Sequence, residues 1–357
     1  MQPAAKANKQ HGAQGMHRAS PPLALDDADD QTLLATCLRD LPVRIEDSLI
    51  EHRVQRLHRE LETRDISALP HVYLSEEFFN PEGVLGFAVP FYLAHPRLMQ
   101  LERSQMLEVE GAGESECRRI LRHEAGHAVD EAYRLHERPG YAELFGDPTQ
   151  PYPASYTPRV ESREHVINLT SWYAQAHPVE DFAETFAVWL NPYTDWRTNY
   201  AHWPALRKLK YVDQLMREIA DKPPLVSDRT EVNPLRVLRR TLGTHYVQKR
   251  EYFAWNWPAN YDQDLRRIFS EGFDDTKAPP ATRFLRRVRP QLRTLIADGT
   301  GLHAYAVDQL LRQMIARAQK LDLRVTEPYE LTIERLLVML TMQTAGMLHQ
   351  GVPKVAL

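Results

Sequence analysis

Residues 123–127 read His-Glu-Ala-Gly-His, inside an apolar pattern of helical period that runs from about Ser115 to His136. Side chains four apart stand on one helix face about one turn from each other, so the two imidazoles can close on a single metal ion. The motif therefore asks for a helix here and for a third donor folded against it, because a catalytic zinc takes three protein ligands and leaves one position open. Glu124 points beside the metal toward that position, where it could take a proton from water. The plainer alternative is a helix whose histidines are ordinary core or surface groups.

The extended HExxHxxGxxH pattern is excluded, since Asp130 and Tyr133 stand where its Gly and His would be. The best source of a third donor is His177-Pro-Val-Glu-Asp-Phe-Ala-Glu-Thr-Phe-Ala-Val-Trp-Leu190. Pro178 suits the first position of a helix, and Val179, Phe182, Ala183, Phe186 and Leu190 make its core stripe. Glu180 and Glu184 stack beside that stripe and would repel each other unless a cation compensates. In this reading Glu180 is a metal ligand and Glu184 accepts the remaining ring N–H of a ligand histidine. His136, Glu161, Glu164, His165 and His177 are alternative donors. Asp130, one turn past His127, either supports that ligand or is a solvated helix charge.

Arg122-His-Glu-Ala-Gly-His-Ala-Val-Asp130 and Glu180-Asp-Phe-Ala-Glu-Thr-Phe186 together resemble the gluzincins, zinc peptidases with glutamate as third ligand. They are most similar to the anthrax lethal factor-like catalytic domain and to bacterial zinc-binding metallopeptidases, over roughly residues 71–220. The resemblance implies Zn²⁺ as cofactor, a peptide or protein as substrate, and a zincin-like core of a small sheet, an active-site helix and a third-ligand helix. It also implies a tyrosine ahead of the third ligand that assists the transition state. Tyr173, seven residues before Glu180, fits that position, with Tyr152 and Tyr156 as competitors. In zincins the peptide lies along an edge strand, for which Gly83 to Leu93 is the candidate; a buried strand is the alternative reading of that run.

The expected fold class is α+β and predominantly helical, with a helical C-terminal extension. Short β-branched and aromatic runs at 71–74, 83–93 and 106–109 read as strands, Pro90 suggesting an edge. Residues 1–30 lack the large apolar side chains that would offset their ordering entropy and read as a disordered leader. Residues 31–221 form the expected catalytic domain with N-terminal helices, Lys222 to Pro234 has linker composition, and 235–357 is a helical C-terminal domain, a possible protein-binding surface. Lys+Arg 44 against Asp+Glu 48 gives net charge −4, so no basic field calls for nucleic acid. The basic run 283–293 has interleaved apolar residues and reads as an amphipathic helix. Two separated cysteines, no secretory signal and no long apolar span point to a cytoplasmic protein without a membrane segment. GxxxxGK[ST], GxGxxG and GxSxG are absent. Beside the zinc peptidase stands one alternative, a non-catalytic module in which zinc stabilises an interaction surface. Glu124 argues for the enzyme, since a structural site has no use for a general base.

Overall fold

The computed structural model describes residues 23–255, 257, 261–271, 277–348 and 352–353. Of the expected disordered leader, residues 1–22 lie outside the described residues. From residue 23 the chain is already engaged: Leu25 is buried in the main core, and Asp29 caps helix α1 (Asp30–Ala35) by accepting from Thr32 N. Helix α2 (Leu49–Glu62) follows, its Ile50, Val54, Leu57 and Leu61 facing inward at helical spacing.

Two parallel strands come next, β1 (His71–Ser75) and β2 (Gly86–Pro90), paired from His71↔Gly86 to Ser75↔Pro90. Glycine is required at the first of these pairs, because a Cβ on Gly86 would lie 2.6 Å from the His71 carbonyl oxygen. β2 is buried throughout, and on its other side Ala88 N donates to Phe79 O at 2.8 Å. The candidate edge at 83–93 is therefore closed, in keeping with the alternative reading of that run as a buried strand, and Pro90 sits at the strand end where a missing N–H costs the ladder least. The expected strand at 106–109 does not form. His95 accepts from Arg97 N and Pro96 takes the first turn of helix α3 (Pro96–Met106), whose last residue buries the apolar Met106 before Leu107 turns left-handed.

Helix α4 (Glu114–Tyr133) carries the His-Glu-Ala-Gly-His motif and stops three residues short of the expected His136, where Arg134 adopts φ 49°. Helix α5 (Tyr141–Phe145) and the two-residue strand β3 (Ser155–Tyr156) lead to helix α6 (Pro178–Leu190), which spans the expected range. Helices α7 (Trp196–Asn199) and α8 (Leu206–Ile219) complete this part. The segment of linker composition is instead laid on the fold: Leu225 N and Val226 N both donate to Ala132 O at the end of α4, Leu85 N donates to Asp228 O, and Tyr73 OH to Val232 O.

Helix α9 (Leu242–Phe253) contributes Leu242 and Tyr246 to the same hydrophobic cluster as α2, α4 and α6. A second cluster begins at Trp257 and is built by helices α10 (Asp262–Ile268), α11 (Ala281–Thr300), α12 (Ala304–Lys320) and α13 (Tyr329–Leu348). The change of core thus falls after α9, later than the sequence boundary at 221–235. Strands β4 (Ser270–Glu271) and β5 (Leu323–Arg324) pair within this part, and β6 (Val352–Pro353) pairs with β3. Predominantly helical with small sheets, the described residues include no helix long and apolar enough to cross a membrane.

Candidate metal centre

α4 and α6 cross at small residues. A Cβ on Gly126 would stand 2.9 Å from Ala183 Cα and 3.2 Å from Phe186 Cβ, so the two backbones touch at a point between the motif histidines and the two glutamates. α6 enters this crossing with its direction fixed by Pro178 in the first turn and by His177, whose Nδ1 accepts from Val179 N.

At the crossing three donor atoms converge. His123 Nε2 lies 3.1 Å from His127 Nε2 and 3.1 Å from Glu180 Oε2, and His127 Nε2 lies 3.2 Å from that same oxygen. A tetrahedral ion bound at about 2.0–2.1 Å spaces its ligands about 3.3 Å apart, so this triangle has the size of such an ion's ligand face. The trio is the group among the described residues that could hold a metal.

Behind the triangle, two of the three donors are oriented by further side chains. Glu184 is fully buried and its Oε1 lies 3.0 Å from His123 Nδ1, while Asn168 Nδ2 donates to Oε1 and Leu169 N to Oε2, each at 2.8 Å. With Nδ1 turned to this acceptor, the His123 ring presents Nε2 to the other donors. Tyr152 OH donates to Glu180 Oε1 at 2.7 Å, leaving Oε2 for the imidazoles.

The electrostatics ask for positive charge in the middle. Burial alone would lower the pKa of the His123 imidazole, yet the Glu180 and Glu184 carboxylates push it up to about 10. Burial would raise the Glu180 carboxyl, and His127 and His123 hold it well below the usual carboxylate range instead. Glu124 is buried beside them, and burial raises its carboxyl against the pull of His123 and His127.

All of this opens into one cavity of about 1070 Å³, whose walls include Glu124, Tyr152, Tyr156 and Tyr173. The Tyr173 ring lies 5.7 Å from that of His123, and its phenol is held protonated by burial first and then by Glu180. It is aimed by two consecutive left-handed residues, Ser171 at φ 58° and Trp172 at φ 52°. Residues 118–233 match the model of the family described as Putative zinc-binding metallo-peptidase. No curated protein and no solved structure matches the chain. The match covers roughly a third of the sequence and includes all three converging donors, Glu124, Glu184 and the tyrosine-bearing loop.

The other sequence-derived donors are held elsewhere. Asp130 is turned away from the reading in which it supports His127: its Oδ1 accepts from His136 N at 2.7 Å and lies 3.0 Å from His136 Nδ1. The cause is the early stop of α4, which folds residues 135–137 back over that carboxylate. His177 caps α6 and bonds Gln150 O, His165 lies 3.7 Å from Asp181, and Glu161 and Glu164 do not line the cavity. Sequence reasoning did not find Asn168 and Leu169 as donors to Glu184, nor Tyr152 as the donor to Glu180. They sit in irregular chain between helices, where no periodicity marks which side chains turn inward; only the density of Pro and Tyr at 147–160 hinted at a built wall.

Proposed function

We propose that the chain is a zinc-dependent metallopeptidase with a zincin-like core, in which His123, His127 and Glu180 are the ligands and Glu124 is the general base. The observation that carries this reading is the triangle of donors with a buried carboxylate next to it and a large cavity in front. A purely structural site would close its fourth position with another ligand, and the group here comprises three. Zinc bound there would supply Lewis acidity, polarising a scissile carbonyl and lowering the pKa of water. Glu124, whose carboxyl burial raises above its ordinary value, takes the proton of the attacking water and returns it to the leaving amine. Tyr173 donates to the oxyanion as it forms, and Tyr152 keeps Glu180 in register. Glu184 fixes the tautomer of His123. Two free cysteines, Cys37 and Cys117, support a cytoplasmic placement.

The test compares zinc content and cleavage of a peptide library by the native chain, Glu180→Ala and Glu124→Gln. Glu124→Gln should keep full zinc content and lose about 10²–10⁴ in kcat/KM, whereas Glu180→Ala should lose both. Full zinc affinity in Glu180→Ala would refute the ligand set. A native chain that holds zinc and cleaves no library member would favour the non-catalytic module.

A further inference from the structure

We propose that β3 is the strand that receives an extended peptide at the cavity, and that the chain's own C-terminal tail, through β6, occupies that edge. This deepens the peptidase reading and rests on it for the identity of the ligand as substrate.

Three observations lead there. β3 belongs to the loop whose Pro148, Thr149, Tyr152, Pro153 and Tyr156 line the cavity of the metal centre, and the loop is anchored at both ends of that wall. Tyr152 bonds the ligand Glu180, and Tyr156 OH donates to Ser171 O, two residues before Tyr173. A peptide paired with Ser155–Tyr156 therefore runs along the rim of the site. Second, the candidate edge at 83–93 is closed, since β2 is flanked by β1 and by Phe79. Third, β3 already holds an extended segment, antiparallel, with Tyr156 opposite Val352 and Ser155 opposite Pro353.

Main-chain pairing of this kind binds a strand through its backbone and leaves sequence preference to side-chain pockets, which suits a peptide. The internal occupant is weakly held. Its ladder is two residues long, and Pro353 has no N–H to donate. What keeps it in place is tethering, which supplies an effective concentration of order mM for a short linker. The tail is then a competitor that an incoming peptide of ordinary sequence displaces.

The experiment uses a chain ending at Leu348, the full-length chain, and a full-length variant carrying Val352→Pro and Lys354→Pro, whose tail lacks backbone donors from 352 to 354. A fluorescein-labelled peptide of residues 351–357 should bind the shortened chain and the double variant at least about tenfold more tightly than the full-length chain. Both altered chains should show KM for library substrates lowered by a similar factor, with kcat unchanged. Equal binding of the labelled peptide to all three chains, or no binding to any, would overturn the proposal, as would a KM that neither alteration moves. Peptide binding is read without turnover, so a chain that holds no zinc and cleaves nothing would sink the peptidase reading while still testing the strand.

Discussion

In α6, Glu180 gives one oxygen to Tyr152 and turns the other to His123 and His127, whereas Glu184 gives both oxygens to donors behind the site. The same side chain, four residues apart, thus does two jobs, and the difference lies in what faces each. Glu184→Gln keeps the size of the side chain but must present an NH2 group, itself a donor, among groups that all donate, namely His123 Nδ1, Asn168 Nδ2 and Leu169 N. Its amide can satisfy at most some of them, and the ring proton of His123 is no longer directed to Nδ1 by a charge. The expected result is a loss of zinc affinity of about 10–100-fold, read by competition with a chromophoric chelator. Unchanged affinity would show that His123 is oriented by its packing alone. That Glu180 and Glu184 both face the motif histidines was legible in the sequence, because i,i+4 acids beside an apolar stripe need a compensating charge. The turn of Asp130 toward His136 was not, since it depends on Arg134 leaving the helix, and an arginine carries no signal for a left-handed cap.

At the scale of elements, the site is a helix crossing. Gly126 lies inside the motif, and the space its missing side chain leaves is filled by Ala183 and Phe186. Gly126→Ala would raise intrinsic helix propensity by about 1 kcal/mol, yet its Cβ at 2.9 Å from Ala183 Cα must push α6 outward. The clash is with backbone, so overpacking wins, and a net loss of about 1–3 kcal/mol is expected in urea unfolding. Because Glu180 rides on the displaced helix, zinc affinity should fall in the same variant. A stabilised protein with native affinity would mean that the crossing is looser than drawn. α4 and α6 were readable from sequence to within a few residues, since apolar period and Pro178 mark them independently of the rest of the chain. The small sheet was less readable. Met106 to Val109 has the residue types of a strand, but Met106 closes α3 and Leu107 turns left-handed, and residues 222–234 have linker composition but find acceptors and donors along β1 and the end of α4. In the second case partners distant in sequence decide, and a local pattern does not carry them.

At the scale of the whole molecule, the buried apolar side chains among the described residues gather into two clusters, one running to Tyr246 and holding the candidate metal centre, the other from Trp257 to Leu340. The second is tied by a buried carboxylate: Asp308, 1% exposed, faces Arg289 at 3.0 Å, Arg293 at 3.3 Å and Arg312 at 2.7 Å, and so joins α11 to α12. Removing it leaves guanidinium groups gathered without their counter-charge, which costs about 3–5 kcal/mol where such a pair is buried and less here, because Arg289 and Arg312 reach solvent. Zinc bound at the candidate site would, by contrast, stabilise only the part that holds it, by an amount set by its concentration over its Kd. The two perturbations should therefore act on different transitions. In urea unfolding followed by tryptophan fluorescence, a chelator should move the transition of the first cluster and leave the second in place. Asp308→Ala should lower the second and leave zinc content native. If both treatments instead shift one common transition, the clusters unfold as a single cooperative unit, and the C-terminal helices are then part of what holds the metal centre in shape.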